Sequence, residues 1–232
     1  MGPAVKFTYF DLLGKGELIR LLLTKGGVDF EDNRISFAEW GNMKPTTTFG
    51  QLPMMTWDGL EMAQSHAIVR YVAKKVGLAG KTDEDFFQAD MILEHTNDIW
   101  KDMPGLRFAA PDVKQAKAEE FLKTTFPKFL DGAEKMLKMR GGEWYAGNQV
   151  KMRGGEWYAG NQLTFADFAM YMVLFFISWP EEKGFQDVTG CDGRFKLLDN
   201  YPLAKANFIK IQNIPEIKKY LDTRKPGNPP GL

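Results

Sequence analysis

The sequence predicts a chain in two parts: a mixed α/β domain over residues 1–79 and an all-α domain over 85–232, joined by a linker at 80–84. Three observations predict it. Strand and helix signals run in the order βαβ and then ββα as far as Gly77. Asp58-Gly59 stands between two short apolar runs, and both of these residues tolerate the positive φ that a tight hairpin demands. From Asp83 onward the apolar spacing is helical and no strand pattern interrupts it.

Each element has its own local reason. Lys6 to Phe10 alternates like a short strand, and Glu17 to Lys25 sets Leu18, Ile19, Leu22 and Leu23 on one helical stripe that stops at Gly26-Gly27. Val28 to Ile35 reads as a second strand, and Met54 to Trp57 and Leu60 to Ala63 as the hairpin pair. Ser65 is placed to cap a helix in which Ile68, Val69, Val72 and Val76 share a face, ended by Gly77. This order is thioredoxin-like in outline. Helices are then expected at Glu84 to Met103, Asp112 to Met139, Phe165 to Phe176, Arg194 to Ile211 and Glu216 to Thr223, with Pro202 splitting the fourth and opening its second piece. Thr164 to Asp167 has the form of a capping box, flanked by Leu163 and Phe168 at the positions of a hydrophobic staple.

One feature is a direct repeat. The segment Lys138 to Val150 recurs as Lys151 to Leu163, differing only in its last residue. Thirteen residues at about 100° each would turn a helix by about 220°, so an in-line helical insertion would misplace the apolar stripe downstream. The extra copy is therefore expected to loop out, and its local sequence leaves open which copy that is.

Thirty basic residues balance thirty acidic ones, so no net field draws the chain to nucleic acid or an anionic membrane. Cys191 is the sole cysteine, which excludes an intramolecular disulfide and fits a reducing, cytoplasmic setting. The longest apolar run, Tyr171 to Trp179, is too short to span a bilayer. His66 and His95 lack the spacing of a metal site, so none is expected. There is no Cys-x-x-Cys pair, so any thiol chemistry of a thioredoxin-like domain must use a thiol brought by a ligand. Leu52-Pro53, ahead of the hairpin, is where a cis proline would offer the backbone of Leu52 to an extended peptide.

An ordered set of short motifs runs through the first domain: Tyr9-Phe10, Gly14-Lys15-Gly16-Glu17-Leu18-Ile19-Arg20, Trp40, Lys44, Gln51-Leu52-Pro53, Gln64-Ser65 and Ala67 to Tyr71. Gly160 to Asp167 adds a signature in the second. The set resembles the sigma-class glutathione transferases, a family that includes haematopoietic-type prostaglandin D synthases, helminth transferases and lens S-crystallins. That resemblance implies the glutathione transferase fold, a cytoplasmic homodimer, and glutathione as co-substrate with no metal required. It makes Tyr9 the catalytic residue, whose hydroxyl would hold the glutathione sulfur as a thiolate. Gln64 and Ser65 would take the γ-glutamyl end, the backbone at Leu52-Pro53 beside Gln51 the cysteinyl unit, and Trp40 and Lys44 the glycine carboxylate. Asp98 would reach across the dimer to the neighbour's ligand. Lys15 stands where the family usually carries arginine, and a point charge does not reproduce a guanidinium fork.

For the second substrate the resemblance implies an apolar pocket lined by Phe10, Leu13, Trp100, Met103, Ala169, Met172 and Val173. Gly105 and Ala169 replace the tryptophan and tyrosine of prostaglandin D synthases, so the pocket is expected to be roomier. Addition of glutathione to a hydrophobic electrophile is the leading expectation. The alternatives are a prostaglandin-isomerase reaction and a crystallin-like structural or ligand-binding protein with little turnover.

Overall fold

The computed structural model describes residues 4–107, 109–141, 162–178 and 197–224. The chain divides into two compact units, Met1–Ala79 together with Ile214–Leu232, and Gly80–Asn213.

The first unit has the thioredoxin-like plan. Strand β1 (Val5–Phe10) leads through a short turn to helix α1 (Gly14–Lys25), and β2 (Glu31–Ile35) returns parallel to β1. Strands β3 (Met54–Trp57) and β4 (Leu60–Ala63) form an antiparallel hairpin, β3 also pairs antiparallel with β1, and the sheet order is β2-β1-β3-β4. The hairpin turn is the one its sequence demands, with φ of 49° at Asp58 and 82° at Gly59. Helix α3 (Ser65–Lys75) buries Ile68, Val69, Val72 and Ala73 and packs on α1. Val5, Phe7, Thr8 and Tyr9 are all buried, as befits a central strand covered on both faces.

Four details differ from the sequence reading. Helix α1 starts three residues earlier than the apolar stripe suggested, at Gly14, because the buried face includes Gly14 and Gly16. Strand β2 is shorter, beginning at Glu31: Gly27 takes φ of 65° and the Val28 N–H returns to Leu23 O, spending the residues before it on closing α1. Ser65 does not cap α3 but is its first residue; Gln64 occupies the cap position with φ of 71° and no side-chain cap bond. Helix α2 (Phe37–Met43) and a 3-10 turn (Lys44–Thr46) were not foreseen. A full capping box starts α2, in which the Ser36 Oγ accepts from Glu39 N and the Glu39 carboxylate accepts from Ser36 N. None of its residues is buried, so no apolar stripe announced it.

The second unit is helical throughout its described residues. It runs α4 (Asp83–Arg107), α5 (Pro111–Glu120), a π-helical turn (Phe121–Thr125), α6 (Phe126–Gly141), α7 (Phe165–Ser178), a 3-10 turn (Leu198–Asn200) and α8 (Pro202–Gln212). The helix expected from Asp112 to Met139 is thus two helices joined by the π turn, and Pro202 opens α8 as anticipated. Buried Asp167 ties the start of α7 together: its carboxylate accepts from the Thr164 N–H at 2.8 Å, the Thr164 hydroxyl at 3.2 Å and the Asn207 amide at 3.0 Å. Buried Glu134 does the same for α8, accepting from the N–H groups of Leu203 and Ala204. Most of the repeat at 138–163, together with Cys191 and the Pro-rich tail, lies outside the described residues. The last helix, α9 (Pro215–Thr223), belongs to the first unit and packs on α1.

Candidate active site

The site starts at the end of β1. Tyr9 is a buried residue of that strand, and the following turn carries the chain straight into the N-terminus of α1. The backbone N–H of Lys15 donates to the Tyr9 hydroxyl at 3.3 Å. Two glycines make the fit possible. A Cβ on Gly14 would come within 2.7 Å of the Tyr9 oxygen, and one on Gly16 within 2.4 Å of the Tyr9 ring; Gly14 also sits at φ of +41°. The ring is therefore cradled by bare backbone that no larger residue could supply. The sequence reading quoted both glycines within a motif but assigned them no role.

A cleft of about 340 Å³ is lined by Phe10, Lys15, Trp40, Gly50, Gln51, Leu52, Gln64 and Ser65; Tyr9 does not line it itself but adjoins it through its chain neighbour Phe10 and its hydrogen-bond partner Lys15. Seven of these eight are residues the sequence singled out; Gly50 is the addition. The elements explain the convergence. Phe10 ends β1, Lys15 lies in the first turn of α1, Trp40 comes from α2, Gly50 to Leu52 from the loop before β3, and Gln64 and Ser65 from the start of α3. The Leu52–Pro53 peptide is cis, and Pro53 is buried behind it. Lys44 does not line the cleft, but its side chain runs alongside Gly50, whose Cβ position is 3.5 Å from the Lys44 Cε. Gln64 donates to Gln51 across the cleft at 3.1 Å. Phe10 stacks on exposed Phe37 and meets Trp40 edge-on, giving the cleft an aromatic flank.

The charge pattern suits an anionic ligand. Lys15 is a cation on the cleft wall, and the first N–H groups of α3 lack intrahelical partners where Gln64 and Ser65 stand, so a carboxylate there meets donors and the positive end of the helix dipole. Gln64 holds a left-handed φ that a non-glycine residue adopts only when its surroundings impose it.

The remaining candidate residues fall elsewhere. Asp98 lies on α4, exposed, accepting from Lys101 at 3.0 Å; it lines an open groove of the second unit with Phe87, Met91, His95, Gly132 and Met136. Of the expected apolar pocket, Phe10 and Leu13 belong to the first unit, while Trp100 and Met103 on α4 and buried Ala169, Met172 and Val173 on α7 belong to the second. Trp100 packs edge-on against Phe176. Among the described residues no group of three or more His, Cys, Asp or Glu side chains is placed to hold a metal, and no helix is long and apolar enough to cross a membrane.

Comparison with known proteins gives this site its family. The N-terminal domain of glutathione S-transferases matches residues 5–74, and their C-terminal domain matches residues 97–224. The chain belongs to the glutathione S-transferase family, whose members use glutathione as co-substrate. It is 33% identical to probable glutathione S-transferase 7 of Caenorhabditis elegans, over 94% of this chain and 96% of that one. It is 30% identical to hematopoietic prostaglandin D synthase of Homo sapiens, over 96% and 97% of the two chains. Among solved structures, monomeric Na-GST-3, a glutathione S-transferase of the hookworm Necator americanus, superposes with a TM-score of 0.77 at 30% identity, covering 95% of this chain and 97% of that one.

Proposed function

We propose that the protein is a sigma-type glutathione transferase in which the Tyr9 hydroxyl holds the glutathione sulfur as a thiolate for addition to a hydrophobic electrophile. The observation that carries this is the seating of Tyr9. Its oxygen already accepts from the Lys15 N–H, which polarises the phenol as a donor towards a sulfur brought into the adjoining cleft. A donated hydrogen bond favours the charged form of the thiol and lowers its pKa. Gln64 and Ser65 at the α3 N-terminus would take the γ-glutamyl carboxylate, the backbone at Leu52 the cysteinyl unit, and Trp40 with Lys44 the glycine carboxylate. The thiolate then attacks the electrophile, forming a carbon–sulfur bond. A leaving group departs with the electron pair, or the adduct takes up a proton.

The apolar part of the electrophile would meet the aromatic flank that Phe10 makes with Phe37 and Trp40. Likeness to a hematopoietic prostaglandin D synthase supports a second reading, a glutathione-dependent isomerase; Gly105 and Ala169, where such synthases carry a tryptophan and a tyrosine, favour conjugation over it. For the assembly we propose a homodimer that uses the open α4–α6 groove, where Phe87 and Met91 expose apolar surface next to Asp98. Light scattering on the purified chain tests it, since a monomer's mass would overturn it. Turnover of 1-chloro-2,4-dinitrobenzene with glutathione, with and without Tyr9→Phe, tests the main reading. Activity untouched by the substitution would overturn it.

A further inference from the structure

Behind Tyr9 runs a line of charge, buried at its centre, that the proposed glutathione site does not use. Glu17 and Arg20, three residues apart on α1, are both completely buried. Arg20 Nη1 donates to Glu17 Oε2 at 3.3 Å and to Leu12 O at 3.0 Å, and its Nε donates to Asp32 Oδ1 at 2.9 Å. Asp32 accepts on its other oxygen from Arg34 Nε at 2.7 Å, and Arg34 Nη1 donates to Asp11 at 3.1 Å. On the opposite side, Glu17 Oε1 accepts from the Tyr220 hydroxyl at 3.0 Å and from Arg224 Nη1 at 2.6 Å, both at the end of α9. Signs therefore alternate from Arg224 through Glu17, Arg20, Asp32 and Arg34 to Asp11. Burial, and then the charge of Glu17, push the Tyr220 phenol far above its ordinary pKa, so it stays a neutral donor.

Such a line is a poor way to gain stability alone, because well-packed apolar side chains usually serve as well as buried ion pairs. Its middle member, however, faces the aromatic residues of β1. The guanidinium carbon of Arg20 lies 5.2 Å from the centroid of the Phe7 ring and 6.0 Å from that of Tyr9. Its remaining nitrogen, Nη2, is buried with no hydrogen-bond partner among the described residues, and a ring face is the electron-rich group within reach.

We propose that Arg20 is a positioning residue for Tyr9: held by Glu17 and Asp32, it presses the ring into the Gly14–Gly16 cradle and, as a cation against the π system, makes the phenol a stronger hydrogen-bond donor. A nearby positive charge favours the oxygen's negative form, and a more acidic phenol gives more of its proton to a bound thiolate. Tyr220 and Arg224 clamp Glu17, so the far end of the chain supports the catalytic hydroxyl. This rests on the reading of Tyr9 as the thiolate's donor.

The test is a pH titration of glutathione bound to the full chain, followed by thiolate ultraviolet absorbance. Five proteins are compared: the unaltered chain, Tyr9→Phe, Arg20→Lys, the pair Arg20→Met with Glu17→Gln, and that pair on a Tyr9→Phe background. The pair removes both buried charges together and leaves Asp32 with Arg34. It is expected to raise the bound thiol's pKa by about 1, while Arg20→Lys stays near the unaltered value and the pair adds nothing once Tyr9 is phenylalanine. A pair whose titration matches the unaltered chain, or whose effect persists without the hydroxyl, overturns the proposal. If Tyr9→Phe itself moves nothing, the parent reading fails and Arg20 is only structural. Should the pair not fold, Tyr220→Phe with Arg224→Gln loosens the clamp from its outer end; a native circular dichroism spectrum with an unmoved thiol pKa then overturns the proposal, and a raised pKa supports it.

Discussion

The backbone N–H of Lys15 donates to the phenolic oxygen of Tyr9 across 3.3 Å, so the first turn of α1 orients the hydroxyl at the end of β1. An oxygen that accepts from an amide is a better donor through its own hydrogen. In the proposed role, replacing Tyr9 by phenylalanine removes a charge-assisted bond worth about 1.5–3 kcal/mol, so turnover is expected to fall roughly ten- to a hundredfold. Glutathione affinity should change little, since the cleft proposed to hold the peptide is lined by other side chains. Steady-state kinetics with isothermal titration calorimetry would check both halves; a large loss of affinity with unchanged turnover contradicts the assignment.

Gly16→Ala is expected to damage the same hydroxyl from below. Its Cβ would sit 2.4 Å from the Tyr9 ring, far inside contact distance, and α1, buried from Gly16 to Leu23, has little room to retreat. Either the ring moves or the helix does, at a cost of about 1–3 kcal/mol. Thermal unfolding and turnover should fall together.

Lys15→Arg is expected to raise turnover. The site's cation would become a planar fork able to meet a carboxylate or phenol with two donors. The measurement is kcat with saturating glutathione, and equal or lower turnover counts against it.

Asp167→Ala should leave glutathione affinity intact and destabilise the second unit. Its buried carboxylate accepts from Thr164 and Asn207, and truncation strands those donors away from water. A loss of about 2–4 kcal/mol is expected in denaturant unfolding. A change below about 0.5 kcal/mol would mean that water takes over the carboxylate's place.

Deleting residues 138–150 tests the repeat. With one copy expected to suffice between α6 and Thr164, the shortened chain should keep its glutathione affinity and gain stability on the order of 1 kcal/mol from loop closure, read as a higher melting temperature. A chain that no longer folds would show that both copies are needed.

Local physics made much of this molecule legible in the sequence. The Asp58-Gly59 turn, the Leu18–Leu23 stripe, the opening of α8 at Pro202 and the pairing of Thr164 with Asp167 each follow from the stereochemistry of a few neighbouring residues, so a few neighbouring residues announce them. The cleft residues were legible because short motifs preserve their order along the chain. Even α2 had its signal, the Ser36–Glu39 box, but a helix that buries no residue leaves no apolar period to draw attention to it.

What the tertiary structure decided is what depends on distance and enclosure. Nothing in the three-residue spacing of Glu17 and Arg20 announces a distant partner; only folding brings Arg224, 207 residues away, onto the same carboxylate and shuts both charges from water. Gln64 has no preference for a left-handed φ, and its place at the α3 N-terminus is imposed from outside. Gly14 and Gly16 matter through the Cβ atoms they lack, which becomes a constraint only once the Tyr9 ring lies against them. Patterning fixes which face of an element is buried. Which charges, rings and bare backbone meet inside is set by packing, where one atom too many costs more than any local preference supplies.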